Sequence, residues 1–269
     1  MRQKKGDFRD IWEMMKTLIW AGIIAIVIRS LLVEPFNIPS GSMIPSLLVG
    51  DYLFVTKFSY GYSRFSFPFA AIPFSGRIGF GAPVRGDVVV FRPPGQPDTD
   101  YIKRVIGLPG DRIQMKSGVL YINDQPVMRE RIADYVDPDN SAAPGVPQYI
   151  ETLPNGVRHR VLESQGDEGP LDNTPIFEVP ADHYFMMGDN RDNSSDSRAP
   201  GGFSYGTLDF DHTILRDNGL LSPVGFVPRE NLIGPAQILF WSYGPEARWI
   251  NPASWISAVR WRRLLLLVR

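Results

Sequence analysis

The chain has 269 residues, 43% of them apolar and 12% aromatic, which is enough for one large or two modest domains with a hydrophobic core. Its 28 basic and 29 acidic residues give a formal net charge of −1, so the composition argues against nucleic acid as a partner. The absence of cysteine excludes a thiol nucleophile, a disulfide framework and a cysteine-based zinc site.

The amino end has the pattern of a membrane anchor. Residues 1–16 carry five basic side chains against three acidic ones, whereas residues 17–33 are apolar apart from Thr17, Arg29 and Ser30. Seventeen residues lie at the lower limit of a span, about 17 to 25 residues, so Arg29 is expected to extend toward the far interface. The basic flank predicts an amino terminus in the cytoplasm and the rest of the chain outside.

Two alternatives for this segment remain open, a cleaved secretory signal and a buried core helix. The small-x-small triplet nearby is Ser40-Gly41-Ser42. A cut there would destroy the first of three motifs described below, which favours a retained anchor.

Beyond residue 50 the sequence has short alternating runs separated by turn residues, and no helical period of useful length before residue 245. This pattern predicts a mainly β, predominantly antiparallel fold after one amino-terminal transmembrane helix. Turns are expected at Leu108-Pro109-Gly110-Asp111 and at Asn123-Asp124. The predicted strands are 51–57, 86–92, 101–106, 119–123, 149–153, 157–161, 183–187 and 237–241.

Three segments carry the chemistry. They are Pro39-Ser40-Gly41-Ser42-Met43-Ile44-Pro45-Ser46-Leu47, the run Tyr101 to Asp111, and the run Met187 to Arg198, in that order. Together they resemble the signature segments of the bacterial type I signal peptidases, membrane-bound serine proteases with a Ser/Lys dyad. The resemblance covers roughly residues 30–111 and 180–243.

The resemblance implies a role for residues of each segment. Ser42 is the nucleophile and Lys103 the general base, while the Ser42 backbone N–H and the Ser40 hydroxyl form the oxyanion hole. In the third segment, the Ser194 hydroxyl is expected to hydrogen-bond the lysine amine. The supporting ion-pair network comprises Asp196, Arg198 and Arg104, and the subsite lining comprises Phe36, Ile38, Met43, Leu47, Tyr101 and Ile102.

A lysine acts as a base only when neutral, and its unperturbed pKa is about 10.4. Burial among apolar neighbours lowers that pKa, and strand alternation places Lys103 on one face with Tyr101 and Val105. The three histidines match no familiar triad motif. Because the dyad uses neither histidine nor metal, no cofactor and no metal site are predicted.

The resemblance also divides the chain, and it implies an antiparallel β-sheet catalytic domain with a smaller β-rich domain inserted in it. The predicted parts are a cytoplasmic terminus (1–16), the anchor (17–33), the catalytic β domain (34–112 and 183–245), an inserted non-catalytic domain (113–182) and a basic amphipathic tail (246–269). Within the catalytic domain, residues 58–83 are predicted to form an aromatic hairpin, which either packs on the sheet or enters lipid. Residues 199–222 depart from the family pattern as an insertion of unassigned role. The tail is too short to span and is expected to lie on a membrane surface, in solvent or docked on the domain.

The sequence thus predicts a monomeric endopeptidase of the bacterial cytoplasmic membrane, facing the periplasm or outer surface, with the lipid bilayer and preprotein signal peptides as its partners. It is expected to cut after small-x-small sites. Two alternatives stay open. One is a specialised Ser/Lys processing peptidase of the pilus or conjugation type, and the other is a non-catalytic membrane-tethered β module.

Overall fold

The computed structural model describes residues 4–67, 73–79, 81–94, 96, 98–199, 224–247 and 252–268. The unassigned insertion at 199–222 lies, apart from Ala199, outside the described residues, as do parts of the aromatic segment and of the tail.

The chain begins with a long helix, α1 (Lys4–Leu31), which carries an apolar stretch of 23 residues, Arg9–Leu31, with a mean hydropathy of 1.8 over its most apolar part. None of that part is buried within the protein. The helix is therefore longer than the predicted anchor, and it ends two residues earlier because Val33 already belongs to the first strand. Among the described residues, it is the one helix long and apolar enough to cross a membrane.

The remainder is mainly antiparallel β structure, which confirms the predicted fold class. The strands are β1 (Val33–Asn37), β2 (Asp51–Thr56), β3 (Tyr62–Ser63), β4 (Arg77–Ile78), β5 (Val88–Phe91), β6 (Tyr101–Gly107), β7 (Arg112–Lys116), β8 (Val119–Ile122), β9 (Gln125–Pro126), β10 (Met128–Tyr135), β11 (Val146–Thr152), β12 (Arg158–Leu162), β13 (Phe177–Glu178), β14 (His183–Met187), β15 (Val227–Pro228) and β16 (Leu232–Ser242). A short second helix, α2 (Pro252–Ala258), lies in the tail.

Seven strands form the main sheet, in the order β1-β2-β16-β5-β6-β14-β15. They come from residues 33–107 and 183–242, and the strands between them in sequence form a four-stranded sheet (β13-β7-β8-β9) and a three-stranded sheet (β10-β11-β12). This partition follows the predicted boundaries of the inserted segment. That the insertion is a separate domain stays a prediction, because Ile113 and Leu120 share an apolar cluster with Phe185 and Met187 of the main sheet.

Both predicted turns are present. Gly110 has a positive φ of 87°, and Asp111 N–H donates to Leu108 O at 3.0 Å. Asn123 and Asp124 both have positive φ, 53° and 64°, and connect β8 to β9. Asparagine and aspartate tolerate this left-handed region better than most residues, which explains their position in the hairpin.

The tail docks on the main sheet at its described residues. Arg263 Nη2 lies 2.6 Å from Asp51 Oδ2, and Arg260 Nη1 lies 3.8 Å from Asp51 Oδ1. Asp51 is fully buried, so its carboxylate needs these partners. Leu267 forms a β-bridge with Ile238 of β16, which fixes the end of the tail. The docked alternative is the one this arrangement favours, although Trp261 and Leu265 remain exposed.

Candidate active site

The first motif forms a tight turn beside β6. After β1, residues Gly41–Met43 make a short 3₁₀ helix in which Ser42 and Met43 are buried. Ser40 precedes this helix in extended conformation, and its side chain makes no capping hydrogen bond. The first N–H groups of any helical turn lack a partner within the turn, so the Ser42 N–H is placed to donate outward.

Lys103 comes to the same place from β6, where it pairs in register with Val89 of β5. Its Nζ lies 2.7 Å from Ser42 Oγ and 3.0 Å from the carbonyl oxygen of Ile102. Only 4% of the lysine is exposed, and its Nζ lies 5.5 Å from the ring centroid of Tyr101. The structure therefore brings together the two residues that the sequence paired.

Burial lowers the pKa of Lys103 to about 8. The negative charges of Asp196 and Asp189 raise this pKa, and Arg198 lowers it. Burial outweighs both carboxylates because each is paired with an arginine, which leaves little net charge around the amine. An amine with a pKa near 8 is neutral often enough at neutral pH to act as a base.

Ser40 lies at the edge of the pair. Its Oγ is 3.5 Å from Ser42 Oγ, at the outer limit of a hydrogen bond, and the residue is exposed. It is therefore accessible to a bound molecule, whereas Ser42 is only 7% exposed. Ser40 and Ser42, which are predicted to supply the oxyanion-hole donors, therefore lie next to each other at this turn. Their roles stay predictions.

The third motif forms the wall behind the pair. Asn190 Nδ2 donates to Gly41 O at 3.0 Å, and Asn190 N–H donates to Ser42 O at 3.1 Å. A side chain at Gly188 is excluded, since a Cβ there would lie 2.2 Å from Ser194 Oγ and 2.6 Å from Ser42 O. The motif thus fixes the backbone of the Ser42 turn by direct contact.

The hydrogen bond predicted between Ser194 and the lysine amine is not formed in this structure. Ser194 Oγ is buried and has no hydrogen-bond partner within 3.5 Å among the described residues. It lies near enough to Asp196 to help lower the pKa of that carboxyl group, after the larger effect of Arg198. Ser194 therefore lines the pocket around the pair without orienting Lys103 here.

The supporting ion pairs differ from the predicted network in one respect. Arg198 pairs with Asp196 at 3.0 Å, as expected. Arg104 instead pairs with Asp189, with Nη2 to Oδ2 at 2.7 Å and Nε to Oδ1 at 2.8 Å. Asp189 was not among the residues predicted for the network, although it lies inside the third motif.

A further pair comes from the inserted segment. Arg191 donates to both carboxylate oxygens of Glu151 on β11, at 2.8 and 2.5 Å. His159 Nε2 lies between Glu151, at 3.5 Å, and Asp189, at 4.0 Å, and burial lowers the pKa of this histidine to about 4. His159 is therefore neutral at pH 7. Neither Glu151 nor His159 carried a sequence signal beyond its place in a short strand.

Of the predicted subsite residues, four lie in the apolar cluster beside the pair. Ile38, Met43, Leu47 and Ile102 are buried, and Phe36 packs against them while remaining partly exposed. Tyr101 is also partly exposed and packs on a neighbouring cluster. Met43 and Leu47 are fully buried, so they form the floor of the predicted subsites, behind the partly exposed side chains.

A cavity of about 450 Å³ borders the same turn. Ile44, Asn190 and Asn193 line it on the side of the Ser42 turn, and Tyr135 and Leu162 line it on the side of the inserted segment. The cavity therefore lies beside the Ser42 turn, between the third motif and strands of the inserted segment.

The family model for signal peptidase, peptidase S26, matches residues 11–241 of this chain. The chain belongs to this family. The match includes α1 from Ile11 onward, the Ser42 turn, Lys103 and the whole third motif, so each part of the site lies inside the matched region.

Curated relatives agree over most of the chain. The signal peptidase I of Rickettsia typhi (strain ATCC VR-144 / Wilmington) is 42% identical over 228 residues, covering 81% of this chain and 76% of the relative. That of Rickettsia conorii (strain ATCC VR-613 / Malish 7) is 39% identical over 260 residues, covering 90% and 87%. The crystal structure of a signal peptidase I from Enterococcus faecalis V583 is 21% identical, with a TM-score of 0.31 over 58% of this chain and 98% of that one.

Proposed function

We infer that this protein is a membrane-bound serine endopeptidase that removes amino-terminal signal peptides from exported preproteins. The observation that carries the inference is the 2.7 Å contact between Ser42 Oγ and the buried Lys103 Nζ. Membership of the signal peptidase family supplies the substrate class.

In this mechanism the neutral Lys103 amine takes the proton of Ser42 as Oγ attacks the carbonyl carbon of the scissile bond. The Ser42 N–H and the Ser40 hydroxyl donate to the oxygen that becomes negative, which stabilises the tetrahedral intermediate. The protonated lysine then returns its proton to the leaving amine. Water hydrolyses the acyl-enzyme with the same lysine as base.

The apolar cluster beside the pair favours small side chains before the cut. Phe36 and Tyr101 leave part of their surface open, while the floor formed by Met43 and Leu47 is closed, so the subsites are shallow. We therefore propose cleavage after small-x-small sequences. The cavity beyond Ile44 offers room for the residues that follow the cut.

The position of the site supports a substrate held at a bilayer. Ser42 follows the last residue of α1 by eleven positions, and Tyr62 of β3 donates to the carbonyl oxygen of Leu31 at 2.8 Å. Ile78, the register partner of Tyr62, is 66% exposed. We propose that this aromatic hairpin contacts lipid where α1 leaves the membrane, with the amino terminus in the cytoplasm and the site on the outer face of the bacterial cytoplasmic membrane.

The test is cleavage of a preprotein with an Ala-x-Ala site by the full-length protein in detergent, with the cut located by mass spectrometry. Wild type should cut after the second alanine, and Ser42→Ala and Lys103→Ala should each lose at least about 10³-fold in kcat. Lys116→Ala, an exposed lysine of β7, is the matched control and should retain full activity. Substantial cleavage by either dyad variant would contradict the proposal.

A further inference from the structure

Three carboxyl groups converge outside the catalytic pair. Glu163 follows β12, Asp172 lies in the loop after it, and Asp192 belongs to the 3₁₀ helix Arg191–Asn193 of the third motif. One oxygen from each lies within 4.8 Å of the other two. Glu163 and Asp172 are fully buried and Asp192 is 7% exposed.

Several of these oxygens lack hydrogen-bond partners. Among the described residues, neither oxygen of Glu163 nor Oδ1 of Asp172 has a partner. The remaining contacts hold the carboxylates from outside the cluster: Asp172 Oδ2 accepts the Gly169 N–H at 2.7 Å, and Asp192 Oδ2 accepts the Gln165 N–H at 2.7 Å. A buried carboxylate oxygen without a partner is costly, so the arrangement favours a ligand that all three groups share.

The nearby arginines do not supply that ligand. Arg129 Nη1 stands 3.8 Å from Glu163 Oε1, beyond hydrogen-bond distance, and its guanidinium donates instead to Gly118 O and to Asp167 Oδ1, both at 2.9 Å. Arg191 and Arg198 of the third motif also act on Glu163, but Arg191 is already paired with Glu151 and Arg198 with Asp196.

The backbone closes around the cluster. A Cβ at Gly169 would lie 2.6 Å from Asp192 Oδ1 and 2.9 Å from Asp172 Oδ2. The loop can approach both carboxylates only because this residue has no side chain. The site therefore has a fixed shape rather than being a loose set of surface acids.

We propose that Glu163, Asp172 and Asp192 bind one divalent cation with the coordination chemistry of Ca²⁺. Calcium takes oxygen ligands at about 2.3 to 2.6 Å, so two oxygens on one ion can stand up to roughly 5 Å apart, a range that includes the observed separations. Magnesium demands near-ideal octahedral geometry at about 2.0 to 2.1 Å and dehydrates reluctantly, so a buried set of three carboxylates suits it less well than calcium. The ion links the segment 163–172 to the 3₁₀ helix that precedes Ser194, and so it ties the insertion to the wall of the active site.

A proton is the competing explanation. Burial raises the pKa of Glu163 to about 8, and a protonated Glu163 could share its hydrogen with a neighbouring carboxylate. The two cases differ in their response to added calcium, because a proton-held cluster has no place for the ion.

The experiment uses the full-length protein in detergent at pH 7.5, treated with EDTA and then exchanged into chelator-free buffer. The thermal midpoint is measured against CaCl₂ and, in parallel, MgCl₂, and isothermal titration gives the number of ions bound. We expect CaCl₂ at a hundredfold excess over its Kd to raise the midpoint by about 5 °C or more, with one ion per chain and a weaker response to MgCl₂.

Glu163→Gln and Asp172→Asn should abolish the calcium response, whereas Glu168→Gln should retain it. Glu168 lies exposed in the same loop and forms no ion pair with a described residue, so it is the matched control. A wild-type midpoint that is independent of CaCl₂, or an equal response in Glu163→Gln, would overturn the proposal. If the variants fail to fold, the titration of wild type decides, and the absence of calcium binding there is again a refutation.

Discussion

Replacing Lys103 by methionine should make the protein more stable at neutral pH. The side chain is 4% exposed, and burial lowers the pKa of its amine from 10.5 to about 8. A buried group that must be charged at pH 7 works against folding. Methionine has a similar length, fills the same space and carries no charge.

The size of the effect follows from the pKa difference. About 2.5 units at roughly 1.36 kcal/mol per unit gives a penalty of about 3 kcal/mol in the free energy of unfolding. The penalty is fully present below the folded-state pKa near 8, shrinks as pH rises toward the unfolded value of 10.5, and is absent above it. The substitution also removes the hydrogen bonds from the amine to Ser42 Oγ and to Ile102 O, each worth about 1 kcal/mol, so the net gain at pH 7 is about 1 kcal/mol.

The assay is a comparison of thermal midpoints of wild type and Lys103→Met between pH 6 and pH 10.5. The variant should melt about 2 to 4 °C higher at pH 6 to 7, and its advantage should vanish by pH 10.5. Lys116→Met, on the exposed side of β7, should show no such pH dependence. A variant that is less stable than wild type at pH 7 would show that the charged amine is stabilised by its neighbours. A gain that does not change with pH would show that the titration of the amine is not its cause. Either result would refute the reasoning.

Three further outcomes follow from the same site. First, kcat/KM for preprotein cleavage should rise with pH through an apparent pKa of about 8, since Lys103 acts as a base only after losing its proton; a limb above pH 10 would contradict this. Second, Arg198→Gln should raise the apparent pKa of this pH dependence by about one pH unit, because it leaves Asp196 unpaired and able to hold the proton on the amine. An unchanged apparent pKa would count against the role of the paired charges. Third, Gly188→Ala should lower both the thermal midpoint and cleavage, while Gly22→Ala in α1, where a Cβ meets nothing within 4 Å, should change neither.

The sheet was predictable where its signal is local. Alternating apolar residues and turn chemistry placed β2, β6 and β14 to within a residue or two of their observed ends. The last strand shows the limit of this reasoning, because it runs from Leu232 although the pattern suggested a start at residue 237. Gly234 and Pro235 look like strand breakers, yet a Cβ at Gly234 would stand 2.3 Å from Thr56 O. Glycine is needed there for the close approach of β2, a contact that only the folded sheet reveals.

The candidate active site likewise has a part that the sequence predicted and a part that it did not. The family resemblance carried by the three motifs was enough to pair Ser42 with Lys103 and to place Asp196 and Arg198 in one ion-pair network. The partner of Arg104 was not predictable, since an aspartate such as Asp189 is common in polar turns and does not indicate an ion pair. Glu151 comes from a strand about 40 residues away in sequence, and its role depends on a long-range contact with the third motif.

The buried charges around the Ser42–Lys103 pair have one physical effect in common. An amine can be kept neutral only where burial outweighs the pull of nearby carboxylates, and two carboxylates lie close enough to Lys103 to act on its pKa. Each is bound to an arginine at 3.0 Å or less, and each pair is almost fully buried. Such pairs add little to stability compared with apolar residues of the same size. Their value here is electrostatic, because they let the third motif hold the Ser42 turn with hydrogen bonds while leaving the neighbouring amine close to its discharged state.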